Sequence, residues 1–298
     1  MCMITIGQNR QCINQDHKKE PIFRCIQILL WSFRKIWFTI DIRSEFTTLH
    51  KIEGISMNVL KRQTKRTVYF GIKYFVSASW SLDRAHLLKF QQHLLERGLD
   101  FSQTNIQGNS FVLSRTQPSP LQIRLEANGP QVSSINVFAQ KPTYDLSLFI
   151  RDADVVFSAY RETWRAEQYQ VIRKDAKIQH LYSCTEHAFK YIWERRLGQS
   201  PGDFSSLGGR PVAGGGLRLI LPPHKKEGEE THSAEIRIES FLRDTRSLFV
   251  ETGFVWPTPQ TIKKDDSFDV DKQMNFVEHY ATNEVWQFLS EQETENEQ

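Results

Sequence analysis

The residues best equipped for chemistry lie in the run Ser183-Cys184-Thr185-Glu186-His187. Ser183 and Glu186 have the spacing of a capping box, in which the hydroxyl accepts a backbone N–H of the first helical turn and the carboxylate reaches back to the cap. A helix opening at Ser183 is therefore expected. It would place Cys184 in the first turn, where the positive end of the helix dipole favours a thiolate. His187, three residues on, is within reach as a base, which makes Cys184 a candidate nucleophile. No third group to orient the histidine is evident, and a small buried residue beside a helix cap accounts for the same pattern.

His180, Cys184 and His187 also have zinc-ligand chemistry, with Glu186 or Glu194 as a fourth group. Their spacing matches no familiar zinc pattern, and neither a metal nor a cofactor is expected. Two glycine clusters, Gly208-Gly209-Arg210-Pro211 and Gly214-Gly215-Gly216, invite comparison with phosphate-binding loops. Such loops aim backbone N–H groups at the ligand and usually open a helix. Here a strand follows and no Gly-Lys-Ser/Thr occurs, so a flexible loop or bulge is the plainer reading. The functional alternative is a small-anion site over 208–216, made by Gly214, Gly215 and Gly216 with the guanidinium groups of Arg210 and Arg218.

The elements that must position these groups read as follows. Val68, Phe70, Ile72, Tyr74 and Val76 alternate as a strand should. Ser81, Leu82, Ala85, Leu88, Leu95 and Leu99 predict an amphipathic helix over 82–97, with Gly98 at its stop. Strands are predicted near 110–115, 121–127 and 132–139, separated by Gly108-Asn109, Pro118 with Pro120, and Asn128-Gly129-Pro130, all turn chemistry. Connections this short imply antiparallel hairpins. Phe149, Ala153, Val156, Tyr160 and Trp164 place one apolar stripe along a helix over 145–165. A strand over 168–182, the helix at Ser183, the glycine loop, and strands over 216–221 and 234–240 follow. A final helix over about 270–289 carries Met274, Val277, Tyr280, Ala281, Val285, Trp286 and Leu289, and leads to a frayed acidic tail. The expected fold is α+β and two-layer: a largely antiparallel sheet with helices on one face, built from two related strand-helix-strand halves.

Composition is that of a globular chain: 298 residues, 39% hydrophobic and 24% charged. The formal charge of +3 is confined to the first 56 residues, with eight Lys or Arg against five Asp or Glu there and thirty of each from Met57 onward. Residues 1–56 also hold three of the four cysteines and show no sustained period, so they read as a leader outside the folded body of 57–298. Its apolar stretch Ile26–Ile42 is broken at the centre by Arg34 and Lys35, which argues against a membrane span. With Cys184 the one cysteine in the body, no internal disulfide framework is possible there, and a reducing, cytoplasmic setting is expected.

The run from Pro142-Thr143-Tyr144 through the long helix to a charged strand, and the late strand 234–240 followed by a terminal helix, resemble a sporadically distributed family of uncharacterised bacterial proteins. The resemblance spans roughly 68–290. It implies a bacterial origin and carries no activity. The function expected from the residues is a non-enzymatic interaction module that docks another protein, or its own copy, through the terminal helix or an exposed sheet edge. Two alternatives are an enzyme or small-anion module using the glycine loop, and a nucleic-acid-associated protein using the basic segment 61–66, with Lys61, Arg62, Lys65 and Arg66.

Overall fold

In the computed structural model, which describes residues 59–77, 83–128, 132–225, 227–264 and 266–290, the alternation that begins at Val68 extends back through the basic segment. The result is one long strand, β1 (Leu60–Ser77). Helix α1 (Arg84–Glu96) follows, capped by the Asp83 carboxylate on the His86 amide. A four-stranded meander comes next: β2 (Gln103–Gln107), β3 (Ser110–Arg115), β4 (Leu121–Ala127) and β5 (Ser133–Gln140). Helix α2 (Leu146–Thr163), capped by Asp145 on the Leu148 amide, closes the first half. The second half repeats this order with β6 (Gln168–Cys184), a single helical turn α3 (Ala188–Lys190) that continues as a π-helix over Tyr191–Arg196, and a 3₁₀ segment over Pro201–Leu207. Strands β7 (Gly216–His224), β8 (His232–Ser240), β9 (Ser247–Trp256) and β10 (Gln260–Lys263) then lead to α4 (Val270–Thr282) and α5 (Glu284–Leu289).

The ten strands among the described residues form one antiparallel sheet, in the order β2-β3-β4-β5-β1-β6-β9-β8-β7, with β10 pairing the start of β6. Strands β1 and β6 sit side by side at the centre, with Ile72 opposite Ala176 and Phe70 opposite Ile178. From each, the chain crosses to the far edge of the sheet and returns strand by strand. The two halves expected from the sequence are thus topological equivalents on either side of one central pair.

Helices cover one face. Phe70, Ile72, Tyr74 and Val76 of β1 point to the same side as Ile135 and Val137 of β5 and Ala176 and Ile178 of β6, and pack with Phe149, Ala153, Val156 and Tyr160 of α2. Helix α1 adds Leu87, Phe90 and Leu94, whereas Leu88 and Leu95 are 55% and 60% exposed. Leu88 and Leu95 therefore belong to the outer face, one residue out of phase with the buried stripe, whereas Leu99 is buried as expected. A second cluster joins Tyr182, Ile236, Ile238 and Val250 to Val285 and Leu289 of α5.

The opposite face of the sheet is polar and largely self-satisfied. Lys73–Glu126 (3.1 Å), Arg173–Asp175 (2.6 Å), Lys177–Glu251 (3.1 Å) and Arg237–Glu239 (2.7 Å) are paired across or along strands. At its centre the Tyr69 ring lies over Gly71, where a Cβ would sit 2.5 Å from the phenol oxygen. The missing side chain makes the room that the ring fills.

Several expectations are corrected here. The helix predicted to open at Ser183 does not: β6 runs through Cys184, and the first helical residue is Ala188. β2, β9 and the short β10 were not anticipated; β2 and β9 carry no simple alternation. The single terminal helix is two, broken at Asn283. The leader 1–56, Ser81 and Leu82, Gly129-Pro130 and the tail after Ser290 lie outside the described residues. Among the described residues, no helix is long and apolar enough to cross a membrane.

One buried ion pair ties the meander to α2. Arg115 donates to Asp152 at 2.7 Å and to the Ser119 carbonyl at 3.0 Å, with both charged side chains almost fully enclosed. Asp152→Ala leaves a buried guanidinium without its counter-charge, and a loss of about 3–5 kcal/mol in urea denaturation is expected. Asp152→Leu combined with Arg115→Met should recover much of it. A double variant no more stable than Asp152→Ala would show that the pair's charges are not the issue.

Candidate functional site

The Cys184–His187 reading meets a different local geometry. Cys184 is the last residue of β6, with its amide donated to the Arg246 carbonyl at 2.7 Å. Burial pushes its thiol up to about 12, and the nearby carboxylates Glu186 and Asp244 add to the shift. No helix N-terminus acts on it, because His187 rather than Ser183 caps α3. The His187 Nδ1 accepts the Phe189 amide at 3.2 Å. The thiol is thus held protonated, and the lone pair that would deprotonate it is engaged by the backbone.

His180 is drawn away from the same group. Its Nδ1 lies 3.1 Å from Thr67 Oγ1 and its Nε2 3.0 Å from Glu278 Oε2 on α4. Glu186 pairs with Arg195 at 2.6 Å. Among the described residues, no three His, Cys, Asp or Glu side chains are grouped to hold a metal ion.

In the loop, Gly214, Gly215 and Gly216 serve close packing, whereas Gly208 and Gly209 take left-handed φ values with open space around them. A Cβ on Gly215 would press on the rings of Trp193 and Phe189, and one on Gly214 would meet Leu242 at 2.4 Å. The Gly215 amide donates to Ser240 Oγ and its carbonyl accepts the Ser240 amide, both at 3.0 Å. Gly216 opens β7. Arg218 is held by two hydrogen bonds to Glu235, at 2.7 and 3.0 Å, and Arg210 stands exposed in the loop. The backbone groups proposed to receive an anion are therefore partly committed to the sheet.

The basic segment is likewise engaged internally. Lys65 reaches Glu278 at 2.5 Å, and Arg62 donates to the Thr282 carbonyl at 2.6 Å and covers the Trp286 ring at 5.7 Å. Two of its four cations thus clasp α4 and α5 to the start of β1. A smaller cavity of about 260 Å³ opens beside the start of α4 between Asp154, Arg161, Asp269 and Asp271. Partial burial, then the charges of Asp271 and Asp269, raise the Asp154 carboxyl to about 6.

A concave feature lies where the two expected docking elements meet. Among the described residues, β7 pairs only with β8 and forms one edge of the sheet. Beside it runs α5, and between them is a groove of about 490 Å³ lined by Leu219, Ile220 and Leu221 from the strand and by Tyr280, Val285 and Phe288 from the helices. Ile220 is 68% and Phe288 43% exposed. Burial, then the charge of Glu284, raise the Tyr280 phenol, keeping it a neutral donor. The helical wall is fixed at its end. Tyr191 Oη donates to the Leu289 carbonyl and Arg196 to the Phe288 carbonyl, capping the last turn of α5. Tyr182 packs on Trp286 at 5.1 Å. Ile220 and Phe288 were not singled out in the sequence, where each is one apolar residue among many.

Two outcomes check this geometry. Iodoacetamide at neutral pH should label Cys184 far more slowly than the unfolded chain, with peptide-resolved mass spectrometry separating it from Cys2, Cys12 and Cys25. Labelling at the rate of a free thiol would contradict its burial. Burial would raise the Glu278 carboxyl, but hydrogen bonds and charge from His180 and Lys65 prevail and hold it below the usual range. A depressed folded pKa contributes stability above the unfolded value, near 4.3, and that contribution is lost as pH falls through the folded one. Glu278→Gln should therefore cost about 1–3 kcal/mol at pH 7 and show a shallower acid decline than the parent. Parallel acid profiles would exclude this role.

Compared with known proteins, the chain matches no family model and no curated protein.

Proposed function

We propose that this protein is a non-enzymatic interaction module that receives an extended protein segment along β7, in the groove against α5. The observation that carries this is a sheet edge that has no second partner strand among the described residues, beside an apolar groove whose helical wall is already fixed. A free edge strand presents a row of N–H and C=O groups, a template for another strand. Strand addition of this kind takes affinity from backbone hydrogen bonds and specificity from pockets for alternate side chains. The other edge is less suited to it. β2 reads QTNIQ, exposed throughout, with Thr104 tied to Gln91 of α1 at 2.8 Å. We place the protein in the reducing cytoplasm, on the single cysteine of the body.

The test uses a displayed library of short peptides with alternating apolar positions, selected on the full chain. Ile220→Pro is the comparison variant, since Ile220 is exposed and proline is tolerated on edge strands where the amide faces solvent. Enriched peptides should lose binding to Ile220→Pro. No enrichment, or binding indifferent to the substitution, would remove the edge as the docking element.

A further inference from the structure

The hydrogen-bond parity of β7 identifies the strand that fits it. The Ser240 amide donates to the Gly215 carbonyl at 3.0 Å, which fixes these two as a hydrogen-bonded pair. The register continues with Leu217 opposite Ile238, Leu219 opposite Ile236 and Leu221 opposite Ala234. Hydrogen-bonded pairs alternate in an antiparallel ladder. Leu217, Leu219 and Leu221 therefore spend their backbone groups on β8, and Gly216, Arg218 and Ile220 turn theirs outward. Pro222, with no N–H, ends the run.

We infer that the partner strand is β7 of a second copy, paired antiparallel about a two-fold axis at Leu219. This rests on the function proposed above and names its partner. The axis sets Arg218 opposite Ile220 of the second copy, so that each residue both donates and accepts. Gly216 faces Pro222 of the second copy, whose carbonyl accepts even though it cannot donate. Leu217 meets Leu221 and Leu219 meets Leu219 on the side that faces the groove. An isologous contact requires such self-complementarity.

Neighbouring registers lack it. An axis at Arg218 sets two guanidinium groups against each other, and an axis at Ile220 sets Arg218 opposite Pro222 and Leu217 opposite Pro223. Pairing β7 with β2 of another copy would oppose leucines to Gln, Thr and Asn and would not close. In the chosen register the Arg218 charge is already balanced by Glu235, and both exposed groups of the groove, Ile220 and Phe288, come to lie at the contact.

The register is testable because Leu219 forms a non-hydrogen-bonded cross-strand pair with itself, the kind with the shorter Cα separation. In the full chain, Leu219→Cys should form a 219–219 disulfide under mild oxidation, identified by peptide mass spectrometry apart from the leader cysteines. Arg218→Cys, out of register with itself, should not. Sedimentation equilibrium should give the parent twice the monomer mass, and Ile220→Pro should weaken the dimer by about a hundredfold or more with its circular dichroism unchanged. A parent that is monomeric at its highest soluble concentration overturns the inference, as does a dimer indifferent to Ile220→Pro. If the parent is monomeric while displayed peptides still bind along β7, self-pairing fails and the docking function stands. If peptides fail as well, both fall.

Discussion

The pairing of β1 with β6 is the constraint on which the rest of the structure depends. These are the two longest strands, and each has its own half of the sheet on its other side. Their register decides which residues face the helices: a slip of one position would turn Phe70, Ile72 and Tyr74 to the polar face and Tyr69 and Lys73 into the core. Register shifts between Lys61 and Arg66 and between Thr67 and Tyr69 let the start of β1 follow β6 while its basic residues reach α4 and α5. The terminal helices are thus docked by the same strand that centres the sheet.

That docking explains why a histidine and a carboxylate sit paired at a core boundary. Thr67, His180, Glu278 and Lys65 form a chain of polar contacts between the central pair and α4. Buried polar groups that satisfy one another fix the position of an element. A comparable arrangement holds the loop before β8, where buried Lys174 pairs with Glu230 and Glu230 in turn meets Lys272 of α4 at 3.3 Å. α4 is therefore fastened at both ends by charge, and α5 inherits its position from it.

Much of the fold was legible because its signals are local. Alternation marked β3, β4 and β8, and the stripe of α2 was spaced as its packing requires. The errors have equally local causes. Helix α1 carries the doublets Leu87-Leu88 and Leu94-Leu95, two stripes with the same seven-residue spacing, and only Phe90 distinguishes the buried one. β9 hides its alternation behind Glu251-Thr252-Gly253. The capping box at Ser183 is present in the letters, but the ladder to β9 extends to Ser183 and holds that residue extended. The candidate site was less legible. The elements were nameable in advance, as terminal helix and sheet edge, but their meeting in one groove is a product of topology. His180 finds partners 113 and 98 residues away in the sequence, which no spacing rule encodes.

The central position of β1 also bears on how the chain must be made. On its outer side β1 pairs with β5, which completes a five-stranded half as soon as Gln140 has been added. Its inner side waits for β6, whose first residue is Gln168 and whose last is Cys184. At synthesis rates of roughly 5–20 residues per second, the inner edge of β1 stays open for several seconds after the first half can form. It is a long edge whose core-facing residues include Phe70, Ile72, Tyr74 and Val76. During that interval the nascent chain carries its most adhesive strand at a margin rather than at the centre, and the ribosome-bound half is the species most in need of protection from its neighbours.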